Sequence, residues 1–170
     1  METIKILQIV GFKNSGKTTL LTRFMETALK SNKQVSTIKH HGHGGDLEMP
    51  EHGTDSMRFF EKGAASSLAY GNGVVQLHLQ TKQAELQKFI RLSQLAEPDL
   101  ILIEGFKKAD FPKVVLVRNV DDWQELQKLS KIELVIVHKG VMLEKIKSVE
   151  LDNEKEIDNF FIQWMEGENR

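Results

Sequence analysis

The chain reads as an α/β protein, a mainly parallel sheet with helices on both faces and some antiparallel pairing. Three observations carry this reading. Ile4–Val10 and Leu100–Ile103 are apolar almost without interruption, the pattern of strands covered on both faces. Segments of helical periodicity fall between the strand-like runs, so successive strands are joined by crossovers. Ser67–Tyr70 and Val74–Leu79 flank Gly71-Asn72-Gly73, a hairpin-type turn that supplies the antiparallel part.

In chain order, strand Ile4–Val10 is followed by a glycine-containing loop and a helix from about Lys17 to Lys30. Its apolar residues Leu20, Leu21, Phe24, Met25, Ala28 and Leu29 form one stripe. Gln34–Lys39 reads as the second strand and Asp55–Lys62 as a short helix stopped by Gly63, with Thr54 or Asp55 as its cap. After the hairpin, Ala84–Leu95 reads as a helix with Leu86, Phe89, Ile90 and Leu95 inward. Pro98 marks a break before strand Leu100–Ile103, and Val114–Val117 is another strand. Asp121 with Gln124 predicts an N-cap for a helix to Leu129, and Leu134–Val137 is expected to be the last strand. Ile157, Phe160, Phe161, Trp164 and Met165 recur at helical spacing and predict a core-facing amphipathic helix.

The 170 residues predict a single domain, 1–170. With 23 Lys plus Arg against 24 Asp plus Glu, the net charge is −1, unlike a protein whose main task is to neutralise a nucleic-acid backbone. The absence of cysteine excludes a disulfide scaffold, a Cys nucleophile, a Cys-ligated zinc site and an iron–sulfur cluster. No secretory leader pattern and no apolar run of membrane-spanning length is visible. The expectation is therefore a cytoplasmic protein that binds neither nucleic acid nor membrane.

Gly11-Phe12-Lys13-Asn14-Ser15-Gly16-Lys17-Thr18 fits the pattern G-x-x-x-x-G-K-[ST]. It follows a buried strand and opens an amphipathic helix, the context the motif requires. Gly11 and Gly16 allow a tight turn with no side chain in the phosphate volume. The amides from about Asn14 to Thr19 then point at a phosphate from a helix N-terminus. Lys17 is placed to reach the β- and γ-phosphates, and Thr18 to offer its hydroxyl to Mg²⁺. The expected nucleotide contacts are Gly11, Lys13, Asn14, Ser15, Gly16, Lys17, Thr18 and Thr19, within a P-loop NTPase fold. Lys13 is read as a surface or phosphate-steering charge. It is not a trans-acting signature lysine, because the residue directly after Gly11 is Phe12.

Glu104 follows four apolar residues and precedes Gly105. At the carboxyl end of a parallel strand it faces the crevice where ligands bind, a place for a carboxylate near the metal's water shell. Asp99 lies at the wrong end of the same strand. Lys39-His40-His41-Gly42-His43-Gly44-Gly45-Asp46, with His52 nearby, forms a loop that leaves the active-site edge. It reads either as a transition-metal site, as a nucleotide-sensing switch with Asp46 or Glu48 near Mg²⁺, or as plain solvated loop. Arg58 is a further candidate phosphate contact. An Asn-Lys-x-Asp guanine motif is absent; Arg118-Asn119 and His138-Lys139-Gly140 end two late strands at the crevice edge, where either could meet a base.

Taken together these residues resemble the MobB family, the molybdopterin-guanine dinucleotide biosynthesis adapter proteins. The resemblance rests on Gly11–Thr19, on Ile38-Lys39-His40 with the His/Asp loop, and on Asp55-Ser56 and Gly63-Ala64-Ala65. It extends to Glu104-Gly105-Phe106-Lys107 within Leu100–Lys107 and to Pro112–Arg118. It implies a GTP-binding homodimer with Mg²⁺ and slow intrinsic turnover. It also implies a role in assisting MobA, the guanylyltransferase that joins GMP to molybdopterin; molybdopterin itself is a further possible ligand. The metal-site residues expected are Thr18, Glu104 and Asp46. Two other functions share the phosphate loop. A small-molecule kinase needs clustered lid cations, whereas the five arginines (Arg23, Arg58, Arg91, Arg118 and Arg170) are dispersed. A metal-delivery GTPase would use His41 and His43.

Overall fold

The computed structural model describes residues 4–41, 47, 49, 54–83, 85–144 and 146–167. Its elements are β1 (Lys5–Gly11), α1 (Lys17–Lys30), β2 (Val35–Lys39), α2 (Asp55–Glu61), β3 (Ser66–Gly71) and β4 (Val74–Leu79). They continue with α3 (Leu86–Gln94), β5 (Leu100–Glu104), β6 (Lys113–Val117), α4 (Val120–Leu126), β7 (Ile132–Val137), β8 (Val149–Glu150) and α5 (Glu154–Glu166). The chain divides into two compact units, one formed by Met1–Gly42 with Leu86–Arg170 and the other by His43–Glu85.

The first unit is built on a six-stranded sheet in the order β2-β5-β1-β6-β7-β8. Every pairing in it is parallel. Because neighbouring residues of a strand face opposite ways, β1 sends Leu7 and Ile9 to one side and Ile6, Gln8 and Val10 to the other. On the first side Leu7, Ile9, Leu102, Leu116 and Ile136 meet Leu20, Phe24 and Ala28 of α1 and Ile157 and Phe161 of α5. On the second side two separate clusters form. Ile38, Ile101 and Ile103 pack against Leu86 and Ile90 of α3, while Val10, Val115, Val117 and Val137 pack with Leu126 of α4. Gln8 falls at the seam between these clusters and is fully buried.

Helices α1 and α5 are joined by a parallel stack of Phe24 on Phe161, with ring centroids 4.1 Å apart and planes 4° from parallel. Above the stack, Arg23 donates to both oxygens of Asp158, Nε to Oδ1 at 2.6 Å and Nη2 to Oδ2 at 2.5 Å. It also pairs with Glu154. These contacts raise the already high pKa of Arg23, the Asp158 hydrogen bonds most of all. At the far end of α5 the Lys5 ammonium donates to the carbonyls of Trp164 and Met165, a cation on the negative end of the helix dipole.

The second unit holds α2 and the hairpin β3–β4. Thr54 caps α2 by accepting from Met57 N. The hairpin turns through Asn72 and Gly73, both at positive φ (47° and 81°). That backbone suits the twist of the flanking strands. Among the described residues antiparallel pairing is confined to this hairpin.

The P-loop α/β reading holds, with four differences in detail. Leu95, expected inward, is 81% exposed, because α3 ends at Gln94. The cap of α4 is Asn119, whose side chain accepts from Asp122 N at 2.8 Å. Asp121 therefore lies inside the first turn, and the helix ends at Leu126 rather than Leu129. Strand β7 is not the last, since β8 pairs beyond it. Two residues are too few to leave a hydrophobic pattern.

Phe161→Ala should destabilise the fold by about 3–5 kcal/mol, the usual cost of deleting a fully buried aromatic ring. Urea unfolding followed by circular dichroism measures this directly.

Candidate functional site

The loop between β1 and α1 runs at the carboxyl edge of the sheet, with the ends of β5 and β6 on either side of β1. Its shape is fixed by close approach. A Cβ on Gly11 would lie 2.5 Å from Ser15 Oγ and 2.8 Å from the Leu116 carbonyl, so no larger residue fits. Asn14 (φ 61°) and Gly16 (φ 96°) are both left-handed, which reverses the chain just before α1.

Three side chains hold the carbonyls of this loop. Lys17 Nζ donates to Phe12 O at 2.7 Å. Arg118 Nη1 donates to Lys13 O at 2.9 Å. His138 Nε2 lies 3.1 Å from Ser15 O; a carbonyl only accepts, so this nitrogen carries the proton. Arg118 is itself aimed by Asp122, through Nε–Oδ2 at 2.7 Å and Nη2–Oδ1 at 2.8 Å. Asp122 is buried. The Arg118 hydrogen bonds hold its carboxyl below the usual carboxylate range, outweighing the opposing effect of burial.

The sequence-predicted residues sort as follows. Thr18 and Glu104 are brought together: Thr18 Oγ1 donates to Glu104 Oε2 at 3.0 Å. Ser15 is buried, and its hydroxyl has no hydrogen-bond partner among the described residues. Lys13, Asn14, Thr18 and Thr19 are exposed, and Gly16 and Lys17 half-buried. Asp46, with Glu48, His43 and His52, lies outside the described residues. Asp99 indeed stands at the opposite sheet edge, where Oδ2 accepts from Gln34 N at 2.7 Å. Arg58 pairs with Asp55 one turn away in the second unit. Among the described residues no group of three His, Cys, Asp or Glu side chains is arranged to hold a metal ion.

Lys39, Lys107 and Gln8 were given no role by sequence reasoning. Lys39 Nζ lies 3.5 Å from both Glu104 Oε2 and Thr18 Oγ1. The register Lys39↔Glu104 between β2 and β5 puts it there, and no local pattern announces that pairing. Lys107 Nζ sits 3.8 Å from the centroid of the Phe12 ring, and the Arg118 guanidinium 5.6 Å from the same ring. Burial lowers the pKa of Lys17; Glu104 opposes this, while Lys107, Lys39 and Arg118 act with it. The loop thus gathers four cations around one turn of backbone.

A parallel sheet of this order, with a Gly-x-x-x-x-Gly-Lys-Thr loop feeding its first helix, defines a protein of the P-loop fold. Within that class, residues 6–150 match the family described as molybdopterin guanine dinucleotide synthesis protein B. The chain belongs to this MobB family. It is 40% identical over 139 residues to a probable molybdopterin-guanine dinucleotide biosynthesis adapter protein of Bacillus subtilis (strain 168), covering 82% of this chain and 80% of that one. The molybdopterin-guanine dinucleotide biosynthesis adapter protein of Escherichia coli (strain K12) is 25% identical over 170 residues, covering 98% and 96%. The crystal structure of Bacillus subtilis MobB superposes with a TM-score of 0.80 at 35% identity, over 94% of this chain and 98% of that one. The MobB homologue from Bacillus stearothermophilus gives 0.78 at 31%, over 95% and 98%.

Asp122→Asn tests the brace behind the loop. A carboxyl whose pKa is depressed on folding stabilises the protein above its unfolded value, about 3.9, and loses that contribution as pH falls through the folded value. The variant should be less stable than the parent by about 1–3 kcal/mol at pH 7, with the difference shrinking below about pH 4. Urea midpoints at pH 7 and pH 3 report it.

Proposed function

We propose that this chain is a GTP-binding adapter of molybdopterin-guanine dinucleotide biosynthesis, with Mg²⁺ as its metal and at most slow intrinsic GTP hydrolysis. The observation that carries the reading is the loop whose Phe12, Lys13 and Ser15 carbonyls are all held by side chains. Holding the carbonyls leaves the amides and the start of α1 to an anion. Family membership and the names of the relatives favour a guanine nucleotide.

The residues present fit both ligands. The Gly11 cradle admits no side chain, and the buried Ser15 hydroxyl is unsatisfied among the described residues. Thr18 and Glu104 supply a hydroxyl and a carboxylate, the hard oxygen donors that Mg²⁺ takes. Lys17, now on the Phe12 carbonyl, would reach the β- and γ-phosphates. Thr18, now on Glu104, would offer its hydroxyl to the metal, and Glu104 would hold the metal's water shell. Bound Mg²⁺ neutralises phosphate charge. Glu104 Oε2 is already engaged by Thr18 and Lys39, which suits this holding role better than that of a general base for hydrolysis.

The partner in this reading is a MobA-type guanylyltransferase, and the compartment is the cytoplasm. Among the described residues no helix is long and apolar enough to cross a membrane. A homodimer is also proposed, supported by the hairpin. The register pairs Leu68 with Leu77 and Tyr70 with Val75 on one face, and Leu68 and Tyr70 are 63% and 74% exposed. A lone two-stranded ribbon is marginal in water, and an apolar face of this kind marks an association surface.

Mg·GTP at about 100 times its Kd should stabilise the protein by about 2.7 kcal/mol, visible as a rise in thermal midpoint that requires Mg²⁺ and is absent in Lys17→Ala. A rise with Mg·ATP and none with Mg·GTP would instead support a kinase. The double variant Leu68→Glu/Leu77→Glu should sediment as a monomer where the parent sediments as a dimer; an unchanged dimer would remove the hairpin from the interface.

A further inference from the structure

The turn after β5 is built with more care than a solvent loop needs. Gly105 and Phe106 are both left-handed, at φ 95° and 51°. For a bulky residue such as Phe106 that conformation is strained, and strain of this kind gathers at functional sites. A Cβ on Gly105 would meet His40 Cβ at 3.0 Å. The Phe106 ring packs on the His40 ring with centroids 4.6 Å apart. From beneath, the buried Gln8 amide donates to the carbonyls of both Gly105 and Phe106 at 3.0 Å. A polar side chain inside the central strand of a parallel sheet is costly unless bonded; here the Nε2 bonds fasten this turn, while Oε1 has no hydrogen-bond partner among the described residues.

The turn delivers Lys107. Its ammonium rests on the Phe12 ring at 3.8 Å from the centroid, and among the described residues it has no ion pair. Asp122, the carboxylate that acts on it, is committed to Arg118 through two hydrogen bonds. Lys107 also acts electrostatically on Lys17, whose own head group sits on the Phe12 carbonyl. An unpaired, partly desolvated cation is thus held at the loop within the electrostatic reach of two others, Arg118 and Lys17. Such a gathering of like charges is unfavourable until an anion joins it.

We propose that Lys107 is a phosphate-binding residue that reads the terminal phosphate of the bound nucleoside triphosphate, the Phe12 ring being its resting place in the free protein. The proposal rests on the nucleotide reading above and adds a residue and a selectivity to it. The cation–π contact keeps the ammonium close and poorly hydrated, so it pairs with a phosphoryl oxygen at little reorganisation. A diphosphate, lacking the terminal group, leaves Lys107 on the ring.

Isothermal titration of the parent, Lys107→Met and Lys107→Arg with Mg·GTP, Mg·GDP and magnesium-loaded inorganic triphosphate tests this. Lys107→Met should weaken Mg·GTP by about 10- to 100-fold, the worth of one charged hydrogen bond, with less than about a threefold change for Mg·GDP. Lys107→Arg should recover most of the loss. The thermal midpoint of ligand-free Lys107→Met should equal or exceed the parent's; a lower midpoint, with GTP and GDP weakened alike, would show a merely structural role and overturn the proposal. Unchanged GTP affinity would overturn it while leaving the nucleotide reading intact. If the parent ignores GTP but binds triphosphate, and Lys107→Met loses that binding, the residue assignment stands and the guanine reading falls. A parent that binds neither overturns both.

Discussion

The candidate site depends on where a few backbone carbonyls are made to point. A glycine-rich turn can present either its amides or its carbonyls to a ligand, and the two choices attract opposite charges. Here the choice is enforced from outside the turn. Lys17 comes from the helix that follows, Arg118 from the end of β6 and His138 from the end of β7. The two strand-end donors are in place because β6 pairs in parallel beside β1 and β7 in parallel beside β6. The sheet therefore takes part in setting the loop's backbone.

The same logic separates what could be read in the sequence from what could not. The loop, α1 and the apolar strands were legible because each is defined by local pattern: a glycine spacing, a 3.6-residue stripe, an unbroken hydrophobic run. Glu104 was legible as well, since a carboxylate ending an apolar strand announces its own position. Lys39 and Gln8 carry no such signal. Lys39 matters because β2 pairs beside β5, and Gln8 because the second face of the sheet is covered by two clusters with a gap between them. Both are facts about strand order. The boundaries that moved did so by local competition: Asn119 took the cap from Asp121 because Asp122 N lies within reach of its side chain.

Charge arrangement gives the site its character. Over the whole sequence positive and negative residues nearly cancel. At the loop they do not: Lys17, Lys39, Lys107 and Arg118 converge, with Glu104 and Asp122 as counter-charges. Each carboxylate is matched to a specific partner, Asp122 to Arg118 and Glu104 to Thr18 and Lys39. The excess is thereby concentrated on Lys17 and Lys107, whose ammonium groups burial disfavours. Local concentration of one sign within a near-neutral chain is a way to bind a small polyanion without becoming a general polyanion binder.

The clamp of α5 on α1 also has a consequence for the life of the chain before it is whole. The Arg23–Asp158 pair spans 135 residues of sequence, and the Phe24–Phe161 stack a similar distance. During synthesis the glycine-rich loop before α1 leaves the ribosome well before α5, the helix that seats its supporting helix. Contacts of such long range close late and slowly. A nascent chain thus carries the glycine-rich loop long before it carries the scaffold that gives the loop its geometry.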